Sequence, residues 1–147
     1  MAWVIQSPYL KAWSASVVPA AAREWARYRK NQVGTWELMA AVCGLKFLIS
    51  TAPGDLEIIA FVDNTSALGA ILRGCSRQTD WNDLIGDLWL AAAQRGHFLH
   101  AWYVPSHLNL ADAPTRPETK ASEIAELASR GFREIQWVFP PGAPWSG

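Results

Sequence analysis

Three acidic residues stand apart from the other charged positions by where they fall. Glu37 interrupts the apolar helical stretch "TWELMAAVCGL", Asp63 ends the apolar run "LEIIAFV", and Asp112 lies in "NLADAP" beyond the next apolar run. A carboxylate at the end of a buried strand is costly to desolvate unless something pairs with it. Brought together, oxygen-only ligands of this kind suit Mg²⁺ or Mn²⁺, which keep several waters and take one or two carboxylates with substrate phosphates. His107, in the polar segment before Asp112, adds a group able to move a proton near neutral pH. Each residue also has a local explanation. Asp63 as a helix N-cap is worth about 1 kcal/mol, Glu37 has Arg and Lys residues to pair with, Asp112 suits a turn before Pro114, and His107 suits a plain surface loop. Both readings stay open at this level. His97 and His100 alternate along a strand with no Cys or carboxylate at zinc-ligand spacing, and read as structural.

For the three acids to meet, the elements carrying them must converge. "AWVIQS" and "KAWSASVV" read as two strands joined at hairpin spacing by "PYL". "PAAAREWARYRK" opens with Pro at a first-turn position and has Ala-rich helical propensity. "QVGTWELMAAVCGLKFLIST" is the longest helical candidate, with Val33, Trp36, Ala40, Cys43 and Phe47 at helical spacing. Leu56 to Val62 is nearly continuously apolar, as expected of a strand covered on both faces. "NTSALGAILRG" and "DWNDLIGDLWLAAAQRG" read as helices closed by Gly74 and Gly96. His97 to Val104 is the next strand and "ASEIAELASRG" the last helix. This order predicts an α/β fold with a mixed sheet flanked by helices. If the strands of Asp63 and Trp102 are parallel neighbours, their carboxyl ends share the sheet edge where ligands of open α/β sheets collect. A helix laid across the sheet brings Glu37 to the same edge. Residues 1–131 are expected to form the domain, and 132–147 an extended Pro- and Trp-rich tail.

The bulk numbers narrow the class. At 147 residues, half of them hydrophobic, the chain is long enough for one domain with its own core. No apolar run reaches ~18 residues, and "MAWVIQSPYL" lacks the basic start and long apolar stretch of a signal peptide, so an intracellular protein, cytoplasmic or nuclear, away from membranes is expected. Cys43 and Cys75 then read as reduced and structural. With 13 basic and 13 acidic residues there is no overall cationic excess, so any nucleic-acid affinity has to come from local patches. Of nine tryptophans, Trp3, Trp13, Trp25, Trp36, Trp81, Trp89 and Trp102 fall in segments that look packed, whereas Trp137 and Trp145 are candidate surface anchors.

"WELMAAVCGL", "FVDNTSALGAILRG" and "YVPSHLNLADAPTR" together resemble the ribonuclease H domains of retroelement reverse transcriptases, those of tyrosine-recombinase retrotransposons included. The likeness runs from about Trp13 to Arg116, and its most specific part is Val-Pro-Ser, Asn109 and Ala-Asp in order. It implies a ribonuclease H-like fold and hydrolysis of the RNA strand of an RNA/DNA hybrid by two divalent metals, with Glu37, Asp63 and Asp112 as three of four metal-binding acids. It further implies His107 as an aid to leaving-group departure. Asn64, Ser76, Arg77, Ser106, Asn109 and Arg116, with Arg73, become the candidates for holding the nucleic-acid backbone. The family's fourth acid ends its first strand. Here the only acid before Glu37 is Glu24, in a predicted helix, and "AWVIQS" resembles the family's second strand. The sheet is therefore expected to be incomplete or altered at its amino-terminal side. Either another part of a longer protein, a protein partner or a second copy completes it, or "AWVIQS" itself takes the first-strand place with Gln6 or Ser7 near the acid's position. A catalytically silent module for assembly or nucleic-acid binding is the alternative. So is a transposase-like relative using Glu118 or Glu123.

Overall fold

The computed structural model describes residues 1–27, 30–137 and 139, and these build a mixed α/β arrangement. In chain order the elements are β1 (Ala2–Gln6), β2 (Lys11–Ala15), α1 (Ala20–Trp25), α2 (Val33–Thr51), β3 (Glu57–Val62), α3 (Thr65–Arg73), α4 (Thr79–Gln94), β4 (Phe98–Tyr103), α5 (Ala121–Ser129) and β5 (Arg133–Glu134). Two 3-10 helices, Ser106–Leu108 and Leu110–Thr115, fill the polar stretch after β4. The hairpin and the helices fall where periodicity and Gly signals place them. Gly74 ends α3 with φ 69°, the left-handed conformation that Gly adopts without steric cost.

The strands form two sheets. β1 pairs antiparallel with β2, and β2 pairs in parallel with β5; separately, β3 pairs in parallel with β4. The expected parallel neighbours are thus adjacent, with Val62 beside Tyr103, so both carboxyl ends share one edge. The sheet itself is split, because no hydrogen bond joins β1 to β3.

α2 lies behind both sheets. Its Leu38, Met39 and Val42 are fully buried with Leu84, Ile85 and Leu88 of α4, each such side chain contributing roughly 1.5–3 kcal/mol. By length and composition α2 is apolar enough to cross a membrane, but half of that stretch is buried in the fold. A Cβ on Gly44 would stand 2.8 Å from Trp3 Cγ, so only glycine lets β1 approach this closely. A second, smaller cluster of Trp13, Leu127 and Phe132 seals α5 against the other face of β2.

Three sequence expectations are corrected. β3 is not covered on both faces: Ile58, Ala60 and Val62 are buried, while Ile59 and Phe61 are 54% and 65% exposed. Among the described residues nothing packs over the outer face of β3 and β4, which is why Trp102 is 62% exposed rather than core. Trp137 is not a surface anchor. Its ring lies 6.1 Å from that of Trp3 and 5.7 Å from that of Phe139, so this part of the tail folds back onto the core. Trp145 lies outside the described residues.

Candidate metal centre

The segment "VDNTSA" resolves the ambiguity at Asp63. The cap of α3 is Asn64, whose Oδ1 accepts from the Ala67 N–H at 2.9 Å. Asp63 is therefore released from capping and directly follows Val62, the last residue of β3. Asn64 has a second bond. Its Nδ2 donates to Glu37 Oε2 at 2.7 Å, across from the first turns of α2. One side chain thus anchors α3 and fixes the rotamer of a carboxylate on another element. No Arg or Lys neutralises Glu37 among the described contacts, so the pairing expected as its structural explanation is replaced by this amide.

Electrostatics marks the same place. Burial pushes the Glu37 carboxyl above its ordinary range, the Asn64 amide pulls it back down, and the charge of Asp63 adds to the rise. Two carboxylates that feel each other are destabilised as a pair and favour a cation between them. Asp112 opens on the same cleft, a cavity of about 1020 Å³ that Glu37, Asp63, Asn109, Asp112 and Arg116 all line. Its own charge is already satisfied: Oδ1 pairs with Arg116 at 3.1 Å and Oδ2 with Lys120 at 3.5 Å. Accordingly, no three His, Cys, Asp or Glu side chains converge on one ion-sized point among the described residues. Glu37 and Asp63 do fit a hard divalent cation, since such ions accept one or two carboxylates and fill the remaining sphere with water and phosphate.

The other candidate residues divide into two groups. Asn109 lines the cleft and caps the second 3-10 helix, accepting from the Ala111 N–H at 3.1 Å. Arg116 lines the cleft too, held by Asp112. Ser106 and His107 are exposed in the first 3-10 helix, outside the cleft lining. Ser76 and Arg77 stand in the connection between α3 and α4, away from the cleft. Ser76 belongs to that turn, its N–H donating to Asn82 Oδ1 at 2.6 Å and its Oγ accepting from the Gln78 N–H, while Arg77 is exposed. His97 is structural as expected, its Nδ1 accepting from the Leu56 N–H, and His100 pairs with Glu57.

Sequence reading missed Lys120. Bonded first to Glu123 and then to Asp112, its ammonium is held above its usual range. Nothing in "PTRPETK" signals that contact, because the turn at Arg116–Lys120 is what folds the lysine back onto Asp112. The support behind the pair was also invisible. Trp81 Nε1 donates to Thr35 Oγ1 at 3.0 Å, both residues buried, and the indole ring packs beside Gly34 at the start of α2. No protein-family model, curated protein or solved structure matches the chain.

Proposed function

We propose that this chain is a ribonuclease H-like domain of retroelement type, acting on the sugar–phosphate backbone of RNA/DNA hybrids with Mg²⁺ or Mn²⁺ held at Glu37 and Asp63. The observation that carries this reading is that Glu37, Asp63 and Asp112 line one cleft at the carboxyl end of the parallel pair β3–β4. The motifs around the same three residues support it. A divalent ion bound there supplies charge neutralisation of a phosphoryl oxygen and a more acidic water. The chain's own contributions are distinct. Asn64 fixes Glu37, Asp112 becomes the third acid when Arg116 and Lys120 turn to a phosphate, and Asn109 offers a polar contact on the cleft wall. Arg116, released in the same exchange, is suited to a bidentate phosphate contact. His107, exposed in the 3-10 helix next to Leu108 of the cleft lining, gives a proton to the departing oxygen.

Two observations favour a second reading, a catalytically silent assembly module. The family's fourth acid has no counterpart in Met1 to Gln6, and Asp112 is neutralised by two internal cations. Both weaken a clamp that must hold two dications roughly 4 Å apart. Cleavage of a labelled RNA/DNA hybrid in Mn²⁺, with Asp63→Asn as control, separates the two. Cleavage abolished by the substitution supports the nuclease. A folded protein that leaves the hybrid intact supports the module.

A further inference from the structure

The cleft has a second property that is independent of its acids. Its two long lips are the free edges of β1 and β3: Met1 to Gln6 line one side and Glu57 to Asp63 the other. The register fixes which backbone groups point into it. Met1 and Ser16 exchange both bonds at 3.0 Å, and the Ser7 N–H donates to Leu10. In an antiparallel pair bonded and non-bonded positions alternate, so Trp3 and Ile5 face β2, and Ala2, Val4 and Gln6 turn their N–H and C=O groups to the cleft. On the other side Phe98 donates to the Leu56 carbonyl at 2.9 Å and Val104 to that of Val62 at 3.1 Å. By the same alternation, Glu57, Ile59 and Phe61 present their backbone groups to the cleft. Each lip is therefore a row of donors and acceptors at strand spacing. The floor is α2, with Ala40, Gly44 and Leu48.

We propose that this cleft is a strand-acceptor site that takes an extended, apolar segment of about six residues from a partner polypeptide, joining the two sheets into one. Only an extended backbone offers complementary groups on both edges at once, and an open pair of edges is otherwise an invitation to unspecific pairing. The occupant needs two free edges. Every described strand of this chain already spends at least one on its own sheet, so an intact second copy does not qualify. The chain's own end, "PPGAPWSG", does not qualify either, because Pro140, Pro141 and Pro144 carry no N–H. The partner segment alternates side chains, with small or branched apolar residues toward α2 and no proline within it.

The test uses the full chain and a synthetic strand, acetyl-Lys-Thr-Val-Thr-Val-Thr-Val-Lys-amide, with amide hydrogen exchange read by NMR. In the free protein, the amides of Val4, Gln6, Glu57, Ile59 and Phe61 exchange quickly while those of Trp3 and Ile5 are protected. Saturating peptide slows the fast set about tenfold or more, and a twin N-methylated at alternate residues does not. Val4→Pro keeps the β1–β2 bonds, since its N–H faces the cleft, and abolishes the protection; Ile59→Pro does the same from the other lip. The proposal is overturned if the fast set is protected without peptide, if peptide leaves it unchanged, if the methylated twin protects equally, or if protection follows self-association of the chain.

Discussion

Replacing Asn64 separates its two bonds. In Asn64→Ala, α3 loses its cap, which costs about 1 kcal/mol. Glu37 also loses a bond at 2.7 Å that favours its charged form. Such bonds are worth about 1.5–3 kcal/mol when buried; Glu37 is only half-buried, so about 1 kcal/mol is the screened value. The sum of about 2 kcal/mol lowers Tm by roughly 4–8 °C at neutral pH. The sign of the pH dependence follows from Glu37. Its folded carboxyl sits above the ordinary range, so the folded state holds that proton more tightly than the unfolded chain does. This group therefore favours folding in acid and loses that advantage as pH rises through its folded pKa. Removing the amide pushes Glu37 higher still, so the cost of Asn64→Ala grows with pH from the ordinary carboxyl range upward and shrinks toward the cap alone in acid. Asn64→Asp keeps the cap but sets a charge against Glu37, giving a steeper decline with pH that Mg²⁺ reverses. Urea unfolding across pH, with carboxyl NMR of Glu37, reads all of this. A loss for Asn64→Ala that is the same at every pH, or an Asn64→Asp protein as stable at neutral pH as the parent without cation, would mean that Asn64 does not set the charge of Glu37.

Gly44→Ala drives a methyl against Trp3, and overpacking of about 1–3 kcal/mol outweighs the helix-propensity gain of up to about 1 kcal/mol, so thermal unfolding occurs at lower temperature. Thr35→Val strands the buried Trp81 N–H and costs about 1–3 kcal/mol by urea titration, of which adding Trp81→Phe does not repeat the penalty. Burial pushes the Cys43 thiol up to about 12, whereas Cys75 is exposed; a thiol reagent at pH 8 therefore modifies Cys75 in the folded protein and reaches Cys43 only on unfolding, as mass spectrometry will show.

What the sequence made legible was mostly local. The apolar run into Asp63, the cap chemistry of "DNTSA" and the Gly stops of α3 and α4 depend on neighbours a few residues away, and the elements formed there. The candidate site was legible as a set of acids at element ends, but not as a network. The sequence offers Asp63 as the cap, whereas the bond from the Ala67 N–H to Asn64 Oδ1 makes Asn64 the cap and leaves its amide nitrogen for Glu37. Asp112 reads in sequence as a turn residue or a metal ligand, yet Arg116 and Lys120 reach it through a turn. The exposure of Phe61 and Trp102 ran against their apolarity, since covering a sheet face requires a partner element that composition does not announce. The split between β1 and β3, and the facing of both free edges on one cleft, are tertiary facts that local patterns do not announce.

The proposed cation site rests on Glu37 and Asp63. Paramagnetic Mn²⁺ added to the isotope-labelled chain tests it most directly through line broadening of backbone amides. Broadening is expected to centre on Glu37, Asp63 and Asn64, to be weaker at Asp112, to be relieved by excess Mg²⁺ and to be absent in Asp63→Asn. No broadening at these residues, or broadening centred on another acid such as Glu57 and indifferent to Asp63→Asn, would contradict it.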